Sequence, residues 1–224
     1  MKTMFSNATV RWTEAEIEAR ESLIREVPVI LGAAWRRLNP RVRLERVETP
    51  VLTPAVALEG HIKTGFDLVG TSRETVFLRP ETTAGTFEAF RQDWPQQNQW
   101  PKILPLCYWQ AGKSFRDEKN PDTMRATKLR LREFWQMEFQ LFCLPDTKAD
   151  YLNTAIVALV GRYGGEARVA TELPHYSRKT VDWHMGDLEV AGCSLRTDFY
   201  DLEVTEIALG LDRLVALSQE RPHA

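Results

Sequence analysis

Ser114-Phe115-Arg116-Asp117-Glu118 and Arg132-Glu133-Phe134-Trp135-Gln136-Met137-Glu138 stand on either side of a charged segment. Their flanks, Leu104 to Phe115 and Leu131 to Leu144, are apolar and rich in aromatics. Two such runs around a polar loop predict an antiparallel strand–loop–strand, with a loop too long for a tight hairpin. Side chains alternate along a strand, so Arg132, Phe134, Gln136, Glu138 and Gln140 share one face. That face is too polar for an ordinary core. It is either a solvated outer surface or the floor of a site. Arg116, at the end of the first strand, has a forked guanidinium suited to phosphate. Phe134, on the second, offers a ring face to a flat base.

Working outward, Leu78-Arg79-Pro80-Glu81-Thr82-Thr83 places a carboxylate at a strand-to-helix junction. Pro80 suits a first helical position and Glu81 a positive helix N-terminus. Glu81 therefore reads as a ligand for an ammonium or as a helix cap. Ala208-Leu209-Gly210-Leu211-Asp212-Arg213 predicts a strand, a glycine turn and a helix. Arg213 would open that helix beside a phosphate, although such a string is also an ordinary helix start. Further out, Thr13 and Glu16 form a capping box for a long helix. Its apolar face carries Ile17, Ile24, Val27, Leu31, Ala34, Trp35 and Leu38. Pro28 is expected to kink or split that helix. Strands are predicted at 42–47, extending through 54, and at 76–79, 181–190 and 197–204. Helices are predicted from about 81 to 94 and over 147–163, the latter closed by Gly164-Gly165. Residues 55–75 read as irregular. Helices interleaved with mostly antiparallel strands predict an α+β fold.

The 224 residues carry 29 Lys and Arg against 31 Asp and Glu, a net charge of −2, with 43% hydrophobic residues. Such a composition excludes disordered and low-complexity chains. The near-neutral charge argues against a general nucleic-acid coat while leaving room for a local basic patch. Cys107, Cys143 and Cys193 have no zinc-type spacing and are expected as buried thiols. With no long apolar run and no signal-peptide pattern, a cytoplasmic protein is expected.

Taken together and in order, these segments resemble the three signature motifs of class II aminoacyl-tRNA synthetases, most closely the glycyl type. Motif 1 matches about 13–54, motif 2 about 104–144 and motif 3 about 203–217. Arg132-Glu133-Phe134-x-x-Met137-Glu138, Leu78 to Thr82, and Gly192…Arg196…Tyr200-Asp201-Leu202 are markers of the glycyl type. Glu206 lies seven residues before Arg213, as the substrate-site Glu of that family does.

The resemblance implies a six- or seven-stranded antiparallel sheet flanked by helices, in a homodimer formed through motif 1. It implies that Arg116 holds the ATP α-phosphate, Phe134 stacks on adenine, and Glu118 fixes the adenine or the acceptor end. Arg213 would grip the γ-phosphate. Glu81, Glu138 and Glu206 would surround an amino acid ammonium, with Arg196 near the carboxylate or α-phosphate. Mg²⁺ would bridge the phosphates, with Glu206 as a candidate ligand. Arg125, Lys128 and Arg130 would meet a tRNA acceptor end.

Three features depart from the glycyl pattern. The motif 2 loop is about three residues longer. Ala208 stands where a Ser is usual. Ser194-Leu195-Arg196 replaces Ala-Asp-Arg. One domain fills the length, so no anticodon-binding domain is expected. The expected activity is ATP-dependent activation of glycine or another small amino acid, with transfer to a tRNA 3′ end. Transfer to a carrier protein, another protein or a small molecule is the alternative. A non-catalytic dimeric binding module is the second.

Overall fold

The computed structural model describes residues 11–63, 68–70, 76–117, 129–145 and 147–220. Its centre is a seven-stranded sheet in the order β1-β5-β6-β10-β9-β8-β7. These strands are β1 (Arg43–Arg46), β5 (Leu106–Phe115), β6 (Glu133–Cys143), β7 (Glu166–Val169), β8 (Ser177–Met185), β9 (Leu188–Arg196) and β10 (Glu203–Gly210). All neighbours are antiparallel except β1 and β5. A small second sheet joins β2 (Leu52–Pro54), β3 (Val69–Gly70) and β4 (Val76–Leu78) in the order β2-β4-β3. The expected α+β class is the observed one.

One face of the large sheet carries the main core. Met137, Phe139 and Leu141 of β6, with Ile207 and Leu209 of β10, pack beneath α1 (Glu14–Leu38), α5 (Tyr151–Tyr163) and α6 (Leu211–Glu220). The three cysteines are buried and unpaired there. The capping box at Thr13 forms as expected, the Glu16 carboxylate accepting the Thr13 N–H at 2.8 Å. Pro28 does not split α1, which runs unbroken from 14 to 38. A proline inside a helix costs about 3 kcal/mol. Burying Val27, Leu31 and Trp35 on both sides of it offsets that, and the Trp35 indole is tied to the Tyr151 carbonyl at 2.9 Å. Ile17 and Leu38, expected on the apolar face, lie exposed near its ends.

The opposite face divides in two. At one end, Phe142, Tyr108, Leu106 and Val204 pack under Phe87 and Phe90 of α3 (Thr83–Asp93). Phe90 stacks on Phe142 with ring centres 4.2 Å apart. At the other end the face turns polar and hollow.

Three local expectations are corrected. The run 181–190 is a hairpin, because Gly186 turns the chain at φ 63° between β8 and β9. Residues 197–202 form a turn, with Tyr200 left-handed at φ 52°, so the next strand starts at Glu203. In the 55–75 stretch, α2 (Glu59–Lys63) and β3 form where no regular element was expected.

Candidate active site

The hollow is a cavity of about 320 Å³ over β6, β10 and β9. Strand β6 supplies Phe134, Gln136 and Glu138, and β10 supplies Glu206, Ala208 and Gly210. Glu81, Arg116, Arg130, Tyr176 and Arg213 complete its walls with others. The polar face of β6 is therefore not a solvated surface. Gln136, Glu138 and Gln140 are all buried.

At the floor, three carboxylates converge. The Glu138 Oε2 accepts the Thr82 N–H at 2.9 Å, the Thr82 hydroxyl at 2.6 Å and the Thr83 hydroxyl at 3.2 Å. Its Oε1 accepts from the Gln136 amide. Helix α3 begins at Thr83, later than expected, so Glu81 lies outside its first turn. The N-terminus of α3 is capped instead from another strand, by Glu138. A carboxylate there satisfies open N–H groups and complements the helix dipole. Glu206 accepts the Thr83 hydroxyl at 2.7 Å and the Arg196 guanidinium at 2.9 and 3.1 Å. Gln140 Nε2 bridges the pair, 3.3 Å from Glu138 and 3.4 Å from Glu206.

Arg196 lies under this network rather than open to the cavity. It also makes a two-pronged pair with Asp198 at 3.0 and 2.7 Å, and the Tyr176 ring covers its guanidinium at 3.8 Å. Burial alone would depress its pKa, but Glu206, Asp198 and Glu81 hold it well above the ordinary value. Its position suits anchoring Glu206 better than meeting a phosphate.

The carboxylates do not titrate alike. Burial, then the charges of Glu81 and Glu206, raise Glu138 to about 7 despite the Thr82 donors. Burial also raises Glu206 against the pull of Arg196. For Glu81, burial is outweighed by the contact with His61 and the charge of Arg196, and its pKa falls well below the usual carboxylate range. A floor with more carboxylates than cations is short of positive charge, which an ammonium would supply.

Beside Glu81, whose carboxylate feels its charge, Arg116 donates from Nε to the Pro80 carbonyl at 3.1 Å, its guanidinium carbon 5.3 Å from the centre of the Phe134 ring. Arg213 donates to the carbonyls of Leu129 and Glu189, each at 2.8 Å. Both arginines thus reach the cavity while held by backbone oxygens. Glu138 stands four positions along β6 from Phe134, about 13 Å at strand rise.

Several supporting residues gave no separate signal in the sequence. Arg79, beside Glu81, is a structural bolt. It donates to the Lys113 carbonyl and the Thr49 carbonyl, each at 2.8 Å. Gly112 makes room for it, since a Cβ there would stand 2.2 Å from its Nη2. Asp212 accepts the Trp135 N–H at 2.8 Å and pairs with Arg20 of α1 at 3.4 Å, joining all three motif segments. Tyr176 lies in the loop between β7 and β8. Ala208 faces the cavity opposite Gly192 and Glu138. The hydroxyls of Ser194 and Thr180, 3.0 Å apart, line the same cavity from neighbouring strands. Among the expected residues, Glu118, Arg125 and Lys128 lie outside the described residues.

Both oxygens of Glu206 face donors already, which leaves it poorly disposed as a resident metal ligand. Among the described residues, no group of three or more His, Cys, Asp or Glu could hold a metal ion. Magnesium commonly arrives on nucleotide phosphates rather than in an all-protein cage.

Residues 66–163 match the family described as the tRNA synthetase class II core domain (G, H, P, S and T). Over that stretch the chain is similar to a class II tRNA synthetase core. It is 34% identical over 157 residues to a glycine–tRNA ligase of Ureaplasma urealyticum, covering 63% of this chain and 32% of that protein. It is 37% identical over 150 residues to a glycine–tRNA ligase of Lachnoclostridium phytofermentans, covering 58% and 30%. The chain thus matches about a third of the length of these curated relatives. Its fold also matches a pyrrolysyl-tRNA synthetase of Desulfitobacterium hafniense with TM-score 0.62 and 18% identity, over 89% of this chain and 70% of the other. No helix among the described residues is long and apolar enough to cross a membrane.

Proposed function

We propose that this synthetase core activates glycine, or another small amino acid, with ATP and passes it to the 3′ end of a tRNA. The observation that carries the reading is the polarity of the cavity along β6. Three buried carboxylates crowd the floor, Phe134 and Arg213 line the cavity away from it, and Arg116 stands between, beside Glu81 and over the Phe134 ring. The ammonium binds among Glu81, Glu138 and Glu206, leaving the substrate carboxylate facing the arginines. Adenine lies on Phe134. The carboxylate oxygen attacks the α-phosphorus, forming an acyl–phosphate bond as the bond to pyrophosphate breaks. This brings two anions together, so the protein's work is to neutralise and orient. Arg116 and Arg213 exchange backbone carbonyls for phosphate oxygens. Magnesium, carried on the phosphates, adds charge neutralisation.

Arg130 lines the cavity mouth, and with Arg125 and Lys128 it is the proposed contact for the acceptor end. A homodimer through α1 and β1 completes the reading, since β1 is an edge strand of the large sheet. Sedimentation at micromolar concentration tests that assembly, and a monomer would refute it.

ATP–pyrophosphate exchange across the twenty amino acids, followed by charging of total tRNA, tests the activity. Exchange with glycine or another small amino acid is expected. Folded protein that exchanges with none would overturn the reading.

A further inference from the structure

We propose that His61 is a positioning residue for the amino acid, holding the Glu81 carboxylate against the floor of the cavity. The inference rests on the adenylation reading above. Glu81 lies in the irregular segment between β4 and α3, so neither a strand nor a helix fixes its direction. Arg116 acts on it through its charge, and two side chains approach it directly. Arg196 approaches to 3.7 Å, but that guanidinium is already committed to Glu206 and Asp198. His61 of α2 places its Nε2 3.4 Å from Glu81 Oε1, with both side chains about a tenth exposed.

Behind His61 the contacts close into a ring. The His61 imidazole meets His175 edge-on, ring centres 6.2 Å apart. Gly60 permits this approach, because a Cβ there would stand 2.5 Å from His175 Nε2. His175 packs edge-on against Tyr176 at 5.1 Å, and Tyr176 covers Arg196. Arg196 returns to Glu81. The loop between β7 and β8, helix α2 and strand β9 are thereby fixed around one carboxylate. An ammonium has three N–H donors and needs its acceptors held in place before it arrives. His61 is the link in this ring that reaches Glu81 from α2.

The test is glycine-dependent ATP–pyrophosphate exchange in wild type, His61→Ala, His61→Asn and His61→Gln. Gln carries a donor at nearly the reach of Nε2, whereas Asn stops short. A hydrogen bond to a charged group supports an increase in glycine KM of about tenfold to hundredfold in the Ala and Asn variants. The KM for ATP and kcat should change far less, and Gln should restore most of the glycine KM. Thermal midpoints check folding, and the Asn-against-Gln contrast carries the test if the Ala variant fails to fold. A glycine KM in Ala and Asn within about twofold of wild type, or equal losses toward ATP and glycine, overturns the proposal alone. A wild type that exchanges with no amino acid overturns the adenylation reading and this proposal with it.

Discussion

Strand β6 presents two faces of nearly equal burial and opposite chemistry. On one, Met137, Phe139 and Leu141 are fully buried beneath helices. On the other, Gln136, Glu138 and Gln140 are almost as inaccessible, yet each is polar. The first face is held by area removed from water, which needs shape but no particular partner. The second is held by named donors, and each lost donor leaves a buried group unsatisfied. The apolar face should therefore set stability, and the polar face should set ligand recognition.

The largest expected effect tests the apolar side of that contrast. Phe139→Ala should cost about 3–5 kcal/mol of unfolding free energy by urea titration. It should leave the glycine KM near wild type wherever the protein stays folded. A loss below about 1 kcal/mol would break the contrast, because it would mean the face is not close-packed.

Arg213→Ala comes next. Its side chain rests on two backbone carbonyls at the cavity rim, so removal should lower exchange by about 10²–10³ while the thermal midpoint moves little. Near-normal exchange would remove Arg213 from phosphate binding.

A pH titration probes the polar face itself. Glu138 is raised to about 7 by burial and by its carboxylate neighbours. Its folded pKa exceeds its unfolded value, so the folded state holds the extra proton between the two. Its contribution to stability is then fully present at low pH and declines as pH rises from about 4.5 through about 7. An ammonium favours the ionised form, so glycine affinity should rise through the same window. Glu138→Gln should flatten both trends, read by urea midpoints and glycine KM across pH. Unchanged slopes would refute the assignment.

The smallest expected effect is at Ala208. A serine there would add a hydroxyl opposite Glu138, and a single added hydrogen bond is worth about 1 kcal/mol. Ala208→Ser should lower the glycine KM by no more than about fivefold. A larger drop would make this position a principal determinant of amino acid choice.

The two faces also differ in how far they were legible. Alternation along 133–143 displayed both, and the capping box and the Gly164 stop were readable because each is a local device, whereas the turn expected at Gly210 is absent, β10 running straight into α6. Glu81 was legible as a carboxylate near a strand end. Its surroundings were not, since His61 and Arg196 come from other segments of the chain. Arg196 shows the limit clearly. By type it is a phosphate ligand, yet Glu206, Asp198 and Tyr176 enclose it. Pro28 shows the opposite case, where a strong local signal yields to burial on both sides of it.

By itself, then, the chain determined its longest helix and the paired strands β5 and β6, the alternation that makes β6 two-faced, and the presence of two arginines, an aromatic and three glutamates in a recognisable order. These follow from covalent geometry and local hydrogen bonding, which act over a few residues. Only the tertiary structure decided which charges are free to meet a ligand and which are spent on one another. That choice depends on burial and on distances between residues up to 192 positions apart, as between Arg20 and Asp212. In a low-dielectric interior, such distances decide whether a carboxylate is an anchor, an acid or an open seat for an ammonium.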